Sequence, residues 1–304
     1  LQKKITCEVG LRRKNMNAGI QVESKAIRRK LKPSKEGEVR SAGQKTAMWI
    51  VCAIFVIYSF TLVYPFYYLF INSFKDNYYL MIDPFGLPEK ENGGWLIENY
   101  KTVFTEFNMG EMFYNSVTLT VGTTFFSMLM ICVAAYILAK YKFKGNAFIY
   151  TAVLVCGMIP TTAAMPASYR MMSNLHLIDT YVGMILLECS AFGGYFLYMH
   201  SYFKAIPWEY AESAMLDGAS DLRIFFQIMI PLAKNGITTF AIMKFLGNWN
   251  EFWMAYLFYE SHPTLAVGLN TLSAEATNTG AYAQLFAAMI VSIVPILIFY
   301  AIFS

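Results

Sequence analysis

Between Thr46 and Phe74 the chain carries no Lys, Arg, Asp or Glu, and between Met112 and Ala139 it carries none either. A hydrocarbon core of about 30 Å is crossed by roughly 20 predominantly apolar residues in a helix. Apolar runs of this length constrain the chain more than any other feature, because lipid offers the backbone no hydrogen-bond partners. Only helices and closed barrels satisfy that condition. The whole chain agrees: 57% of residues are hydrophobic and 14% charged, against about 45–50% and about 25% in soluble domains. The reading is all-α, a polytopic membrane protein with six spans. They fall at about 46–73, 113–139, 147–171, 181–203, 236–259 and 282–304. Residues 1–45 then form a separate tail and 46–304 a transmembrane domain.

Charge sets the orientation. Thirteen of the 24 Lys and Arg precede Thr46, and such residues hold flanking segments on the cytoplasmic side. The tail lacks aromatic residues for base stacking, so nucleic-acid binding is not expected. It also lacks hydrophobic periodicity, so it is expected to be disordered. With the amino terminus inside, the loops 140–146 and 204–235 are cytoplasmic. The first holds Lys140, Lys142 and Lys144 and no acid. The loop 74–112 lies outside, with Asp76, Asp83, Glu89, Glu91, Glu98, Glu106 and Glu111 against Lys75, Lys90 and Lys101. Tyr64, Phe66, Tyr67 and Tyr68 mark the outer interface as an aromatic belt. The chain begins at Leu1, and Met16 fits a start codon ahead of the basic stretch.

Other residue types narrow the chemistry. Cys52, Cys132, Cys156 and Cys189 sit inside predicted spans as small apolar residues. His176, His200 and His262 show no ligand spacing, so neither a metal nor another cofactor is expected. No Gly-x-x-x-x-Gly-Lys-[Ser/Thr] phosphate loop occurs, so the chain is not expected to hydrolyse ATP. Pro160 and Pro166 bend the third span, since proline removes a backbone donor. That bend is read either as facing a pathway or as packing.

The most informative segment interrupts the apolar spans at Lys204 to Asn235. It reads Ile206-Pro207-Trp208-Glu209-Tyr210-Ala211-Glu212-Ser213-Ala214-Met215-Leu216-Asp217-Gly218-Ala219-Ser220, and later Ile228-Met229-Ile230-Pro231-Leu232. Glu209 to Leu216 predicts a short helix with acids in its early turns. Gly218 allows the sharp exit of a helix C-terminus. A second short helix follows over Ala219 to Ile228, and Pro231 sets its junction with the next span. The result is a compact helix–glycine–helix knob suited to a groove in a partner protein.

Glu212, Ala214, Gly218, Ile228 and Pro231 resemble the coupling-loop signature of ABC importer permeases. In that pattern Glu-Ala-Ala is followed after three residues by Gly, after nine more by Ile, and then by a nearby Pro. Ser213 replaces the first Ala. Asp217-Gly218-Ala219-Ser220 is similar to the carbohydrate-uptake branch. Glu98-Asn99-Tyr100, Asn115-Ser116, Ala134-Ala135-Tyr136, Met158-Ile159-Pro160, Leu177-Ile178-Asp179-Thr180 and Trp249-Asn250-Glu251-Phe252 extend the resemblance. Thr264 to Leu269 looks like the family's loop beyond span five. The resemblance implies a type I permease fold with a core at about 111–304, in a bacterial plasma membrane. It further implies a second permease subunit, an ATPase dimer, an extracellular solute-binding protein and a sugar or oligosaccharide substrate.

Ionisable groups inside spans cost at least about 2.5–3.5 kcal/mol on insertion scales. Lys244, Asn248 and Glu251 recur at i, i+4 and i+7, on one face of span five. Asn248, Trp249, Asn250 and Glu251 are read as translocation-path residues, along with Pro160 and Glu188. Trp249 would offer a stacking surface, and Lys244 would neutralise Glu188 or Glu251. The competing reading is that these groups satisfy each other between helices. Two other function classes stand against a permease: an ion-coupled secondary transporter using Glu188 and Glu251, and a membrane enzyme. For the second, no nucleophile–base or metal constellation stands out.

Overall fold

The computed structural model describes residues 42–89 and 94–303. The expectations for the basic tail before Ala42, the Met16 start, Lys90 and Glu91 lie outside those residues. Regular structure among the described residues is entirely helical. The described residues divide into two units, at the boundary between Tyr64 and Pro65.

In the first unit, residues 42–64 form most of α1 (Ala42–Asn72). Ser59 Oγ donates to Phe55 O at 2.8 Å, and Thr61 Oγ1 to Tyr58 O at 2.7 Å. Hydroxyls folded back on their own helix carry no unmet donor into lipid.

The second unit contains the end of α1, then α2 (Asn77–Ile82) and α3 (Glu98–Thr105) in the loop before α4 (Met109–Lys140). After α5 (Asn146–Cys156) come a 3-10 turn (Thr161–Ala164), α6 (Met165–Asn174), α7 (Tyr181–Glu188) and α8 (Gly194–Ala205). The knob holds α9 (Glu209–Leu216), α10 (Asp221–Ile224), a π turn (Phe225–Met229) and one more helical turn (Ile230–Leu232). The chain continues as α11 (Lys234–Trp249), α12 (Trp253–Phe258), α13 (Leu265–Thr279) and α14 (Tyr282–Phe303).

Among the described residues three helices are long and apolar enough to cross a membrane: Gly43–Asn72, Met109–Lys140 and Tyr282–Ile302, with mean hydropathies of 2.2, 2.0 and 2.7. The other three predicted spans are each two helices with a break between them. The third breaks at Gly157 to Pro160, where proline drives its preceding residue out of the helical region. The fourth breaks over Cys189 to Gly193. The fifth breaks at Asn250 to Phe252, and there the Asn250 side-chain amide donates to Leu246 O at 2.8 Å. Such side-chain bonds compete with the helical ladder.

The reading of Thr264 to Leu269 as a loop is corrected. Thr264 caps α13, its hydroxyl accepting from Val267 N at 3.5 Å. Gly280 ends the helix at φ +77° with its N–H on Ala276 O. A serine- or threonine-type cap and a terminal glycine are the usual marks of helix ends.

α4 is the central post, packed by α7, α8, α11 and α13. Its buried residues fall in pairs four apart: Asn115-Ser116, Leu119-Thr120, Thr123-Thr124, Ser127-Met128, Ile131-Cys132 and Ala135-Tyr136. This stripe is one helix face. Its small and hydroxyl side chains let neighbouring backbones approach, as membrane helix interfaces require.

Outside that post, buried Asn99 donates to Ser73 O and Lys75 O, both at 2.9 Å. Lys75 Nζ donates to Asp83 O at 2.7 Å, so Asn99 and Asp83 are both tied to the segment that follows α1.

Candidate functional site

A polar seam runs between α4, α7, α11 and α12. Asn248 Nδ2 donates to Thr123 Oγ1 at 2.8 Å and Thr124 Oγ1 at 3.2 Å. Lys244, one turn earlier on α11, meets Glu188 Oε2 at 3.2 Å, with the two side chains 17% and 20% exposed. Ser127 Oγ donates to Glu188 O at 2.7 Å, meeting a carbonyl at the frayed end of α7. Glu251 Oε1 accepts from Met254 N at 3.1 Å and so caps α12. The breaks in spans four and five thus place a carboxylate at each loose helix end, and each has a partner.

Glu188, Asn248, Trp249 and Glu251 line one cleft of about 20 Å³ with Thr120 and Thr123. That is room for about one water, far below the roughly 300–1,000 Å³ of ligand pockets. Trp249 is buried, stacked on Phe245 at 6.1 Å and edge-on to Phe113 at 6.2 Å. Asn250 and Pro160 are exposed and do not line this cleft. Lys244 selects Glu188 over Glu251. The sequence reading missed Thr120, Thr123, Thr124 and Ser127, although their four-residue recurrence was present to be read.

The knob is built on the end of α4. α9 ends with Gly218 at φ +79°; Gly218 N donates to Met215 O and Ala219 N to Ala214 O, each at 3.0 Å. These two bonds are the Schellman arrangement, in which a left-handed residue closes the helix. Ala211, Ala214, Ile224, Phe225 and Met229 are buried against Tyr136 and Phe203. Ile228 and Ala219 are half-buried on the same core. Tyr136 and Phe225 rings lie 5.0 Å apart. Tyr141 OH donates to Asp221 Oδ1 at 2.9 Å, and Lys140 Nζ donates to Ile206 O. Burial first, then its bonds to Tyr136 and Asp221, push the Tyr141 phenol above its ordinary value, so it remains a donor.

The outward face of the knob is different. Glu212, Asp217, Gly218 and Pro231 are exposed. Leu216 is 90% exposed and Leu222 71%. Two bare leucines on an acid-flanked knob form a surface suited to a protein partner.

At the opposite end of the bundle, Asp179 N donates to Phe258 O at 2.8 Å and Ser261 N to Asp179 Oδ1 at 3.0 Å. His262 Nδ1 lies 3.6 Å from the same carboxylate oxygen. The bond from Ser261 leads in holding the Asp179 carboxyl below its ordinary value, and His262 adds to it. Among the described residues no group of three His, Cys, Asp or Glu side chains is placed to hold a metal.

Long apolar helices, broken helices with polar groups at the breaks and a protruding helical knob are the outline of a polytopic membrane subunit. Residues 105–304 match the family described as "binding-protein-dependent transport system inner membrane component". The chain is 32% identical over 257 residues to the diacetylchitobiose uptake system permease protein NgcG of Streptomyces coelicolor, covering 83% of each chain. It is 31% identical over 266 residues to the arabinooligosaccharides transport system permease protein AraQ of Halalkalibacterium halodurans, covering 84% of this chain and 91% of that one. The fold matches a crystal structure of a bacterial ABC transporter involved in the import of the acidic polysaccharide alginate. The TM-score is 0.74 at 23% identity, over 87% of this chain and 98% of the other. The protein belongs to the family of inner-membrane components of binding-protein-dependent transport systems.

Proposed function

We propose that this chain passes a sugar or oligosaccharide across a bacterial plasma membrane as one of two permease subunits of an ATP-driven importer. It crosses the membrane six times, with the amino terminus in the cytoplasm. The coupling loop 204–235 docks on a separate ATPase, and a solute-binding protein delivers the substrate from outside. ATP hydrolysis belongs to the ATPase subunits.

The carrying observation is the knob: a left-handed corner at Gly218 holding Leu216 and Leu222 bare to solvent. The family membership and the carbohydrate names of the relatives support the cargo class. Glu188, Asn248, Trp249 and Glu251 are the path residues favoured by their shared cleft. The ion-coupled alternative is disfavoured because Glu188 is paired with Lys244 and Glu251 caps α12. Both carboxylates already have partners within the chain.

The test is reconstitution of the assembled transporter with its ATPase and binding protein. Oligosaccharide-loaded binding protein is expected to stimulate ATP hydrolysis and uptake, and Leu216→Asp to abolish ATPase co-purification without moving the membrane domain's melting temperature. Uptake that persists without the ATPase sinks the proposal.

A further inference from the structure

We propose that the pocket between the end of α4, the start of α5 and the end of α8 binds the phosphate headgroup of an anionic phospholipid. The pocket measures about 550 Å³ and is lined by Lys140, Lys142, Lys204, His200 and Tyr150, with no acidic side chain. The lysines are not equivalent. Lys140 is engaged with Ile206 O and has Glu209 nearby. Lys142 and Lys204 are exposed and make no hydrogen bond or ion pair among the described residues. Two unpaired cations on one pocket invite an anion, since the nearby acids Glu209 and Asp221 are engaged with Lys140 and Tyr141.

The surrounding groups favour phosphate. His200 is 9% exposed and packs against the Tyr150 ring at 4.7 Å, closing one side of the pocket. Gly145, at φ +101°, turns the chain so that α5 starts beside the pocket. The first turn of α5 has no acid and no side-chain cap, so its partial positive charge is left for the ligand.

A lipid fits better than free phosphate. Leu138, Ala139, Phe143 and Ala147 share the lining, and Phe143 is 42% exposed. The three elements forming the pocket are also the ends of apolar spans. Basic pockets between membrane helices at the cytoplasmic face suit anionic headgroups. This placement rests on the orientation proposed above.

The experiment uses the complete transporter in nanodiscs of phosphatidylcholine with stepped fractions of phosphatidylglycerol or cardiolipin. Native mass spectrometry counts the anionic lipid retained by the wild type, by Lys142→Ala/Lys204→Ala and by the control Lys101→Ala. The double variant is expected to lose retention on the order of tenfold, with the control unchanged and inorganic phosphate unable to displace the lipid. Equal retention in all three proteins overturns the proposal. Displacement of the lipid by inorganic phosphate also overturns it, by making the pocket a free-anion site. If the double variant assembles poorly, Lys142→Gln and Lys204→Gln singly must each lower retention, and no loss in either counts against it. Orientation is read separately: Lys142→Cys labelled by an impermeant maleimide from outside intact cells would reverse the topology, whatever the lipid count.

Discussion

Lys244 on α11 and Glu188, the last residue of α7, pair at 3.2 Å where span four breaks. Removing one partner leaves a poorly solvated charge, whereas removing both does not. Glu188→Gln and Lys244→Gln are each expected to lower stability by roughly 1–3 kcal/mol, discounted for their partial exposure, and the double variant by less than the sum. Thermal unfolding of the four proteins in detergent measures the coupling. Additive losses would show that the pair contributes nothing as a pair.

Gly218 has φ +79°, and a Cβ built there meets nothing within 4 Å. The cost of a side chain is therefore backbone strain alone, about 1–2 kcal/mol for most residues and less for asparagine. Gly218→Asn is expected to keep ATPase binding and uptake better than Gly218→Ala, and Gly218→Val worst. An order set by side-chain size with Asn below Ala would mean that contact at the partner, not the corner, decides.

Gly183 is a packing requirement instead. A Cβ there would lie 2.0 Å from the backbone carbonyl oxygen of Leu177, which cannot rotate away. At Gly268 the nearest atom is Met112 Sδ at 2.1 Å, on a flexible side chain. Gly183→Ala should cost on the order of 3 kcal/mol and Gly268→Ala on the order of 1 kcal/mol, read as melting temperatures of the purified complex. The reverse ranking would contradict the close approach at α7.

Asp179 joins the turn before α7 to the segment after α12, and its carboxyl is held below the ordinary value of about 3.9. A depressed carboxylate stabilises fully above its unfolded pKa and loses that contribution as pH falls through its folded pKa. The wild type should therefore lose stability below about pH 4 more steeply than Asp179→Asn. Parallel melting curves from pH 6 down to pH 3 would exclude this role.

The knob was the most legible part of the chain. Glycine after a short acidic helix has few structural uses, so Gly218 announced the left-handed corner that the fold contains. The breaks in three spans were less legible. Pro160 and Pro166 mark the third span as bent, and its break falls at Gly157 to Pro160. The breaks around Cys189 and Asn250 escape the sequence, because hydropathy records composition rather than hydrogen-bond geometry. α13 was missed although Thr264 and Gly280 stand at its ends, because a polar amphipathic helix between two spans resembles a loop by composition.

The sequence by itself determined the solvent and pointed to a partner: long apolar runs demand lipid, and the residues from Glu212 to Pro231 resemble the coupling loop of importer permeases. Both are local properties, carried by runs or short-range patterns. Tertiary structure decided which polar groups of the bundle meet. Lys244 lies 56 positions from Glu188, and Asn248 lies 125 from Thr123. Such pairings depend on which faces of α4, α7 and α11 turn toward one another. That is set by the small-residue stripe on α4 and by the helix breaks, acting together across the bundle.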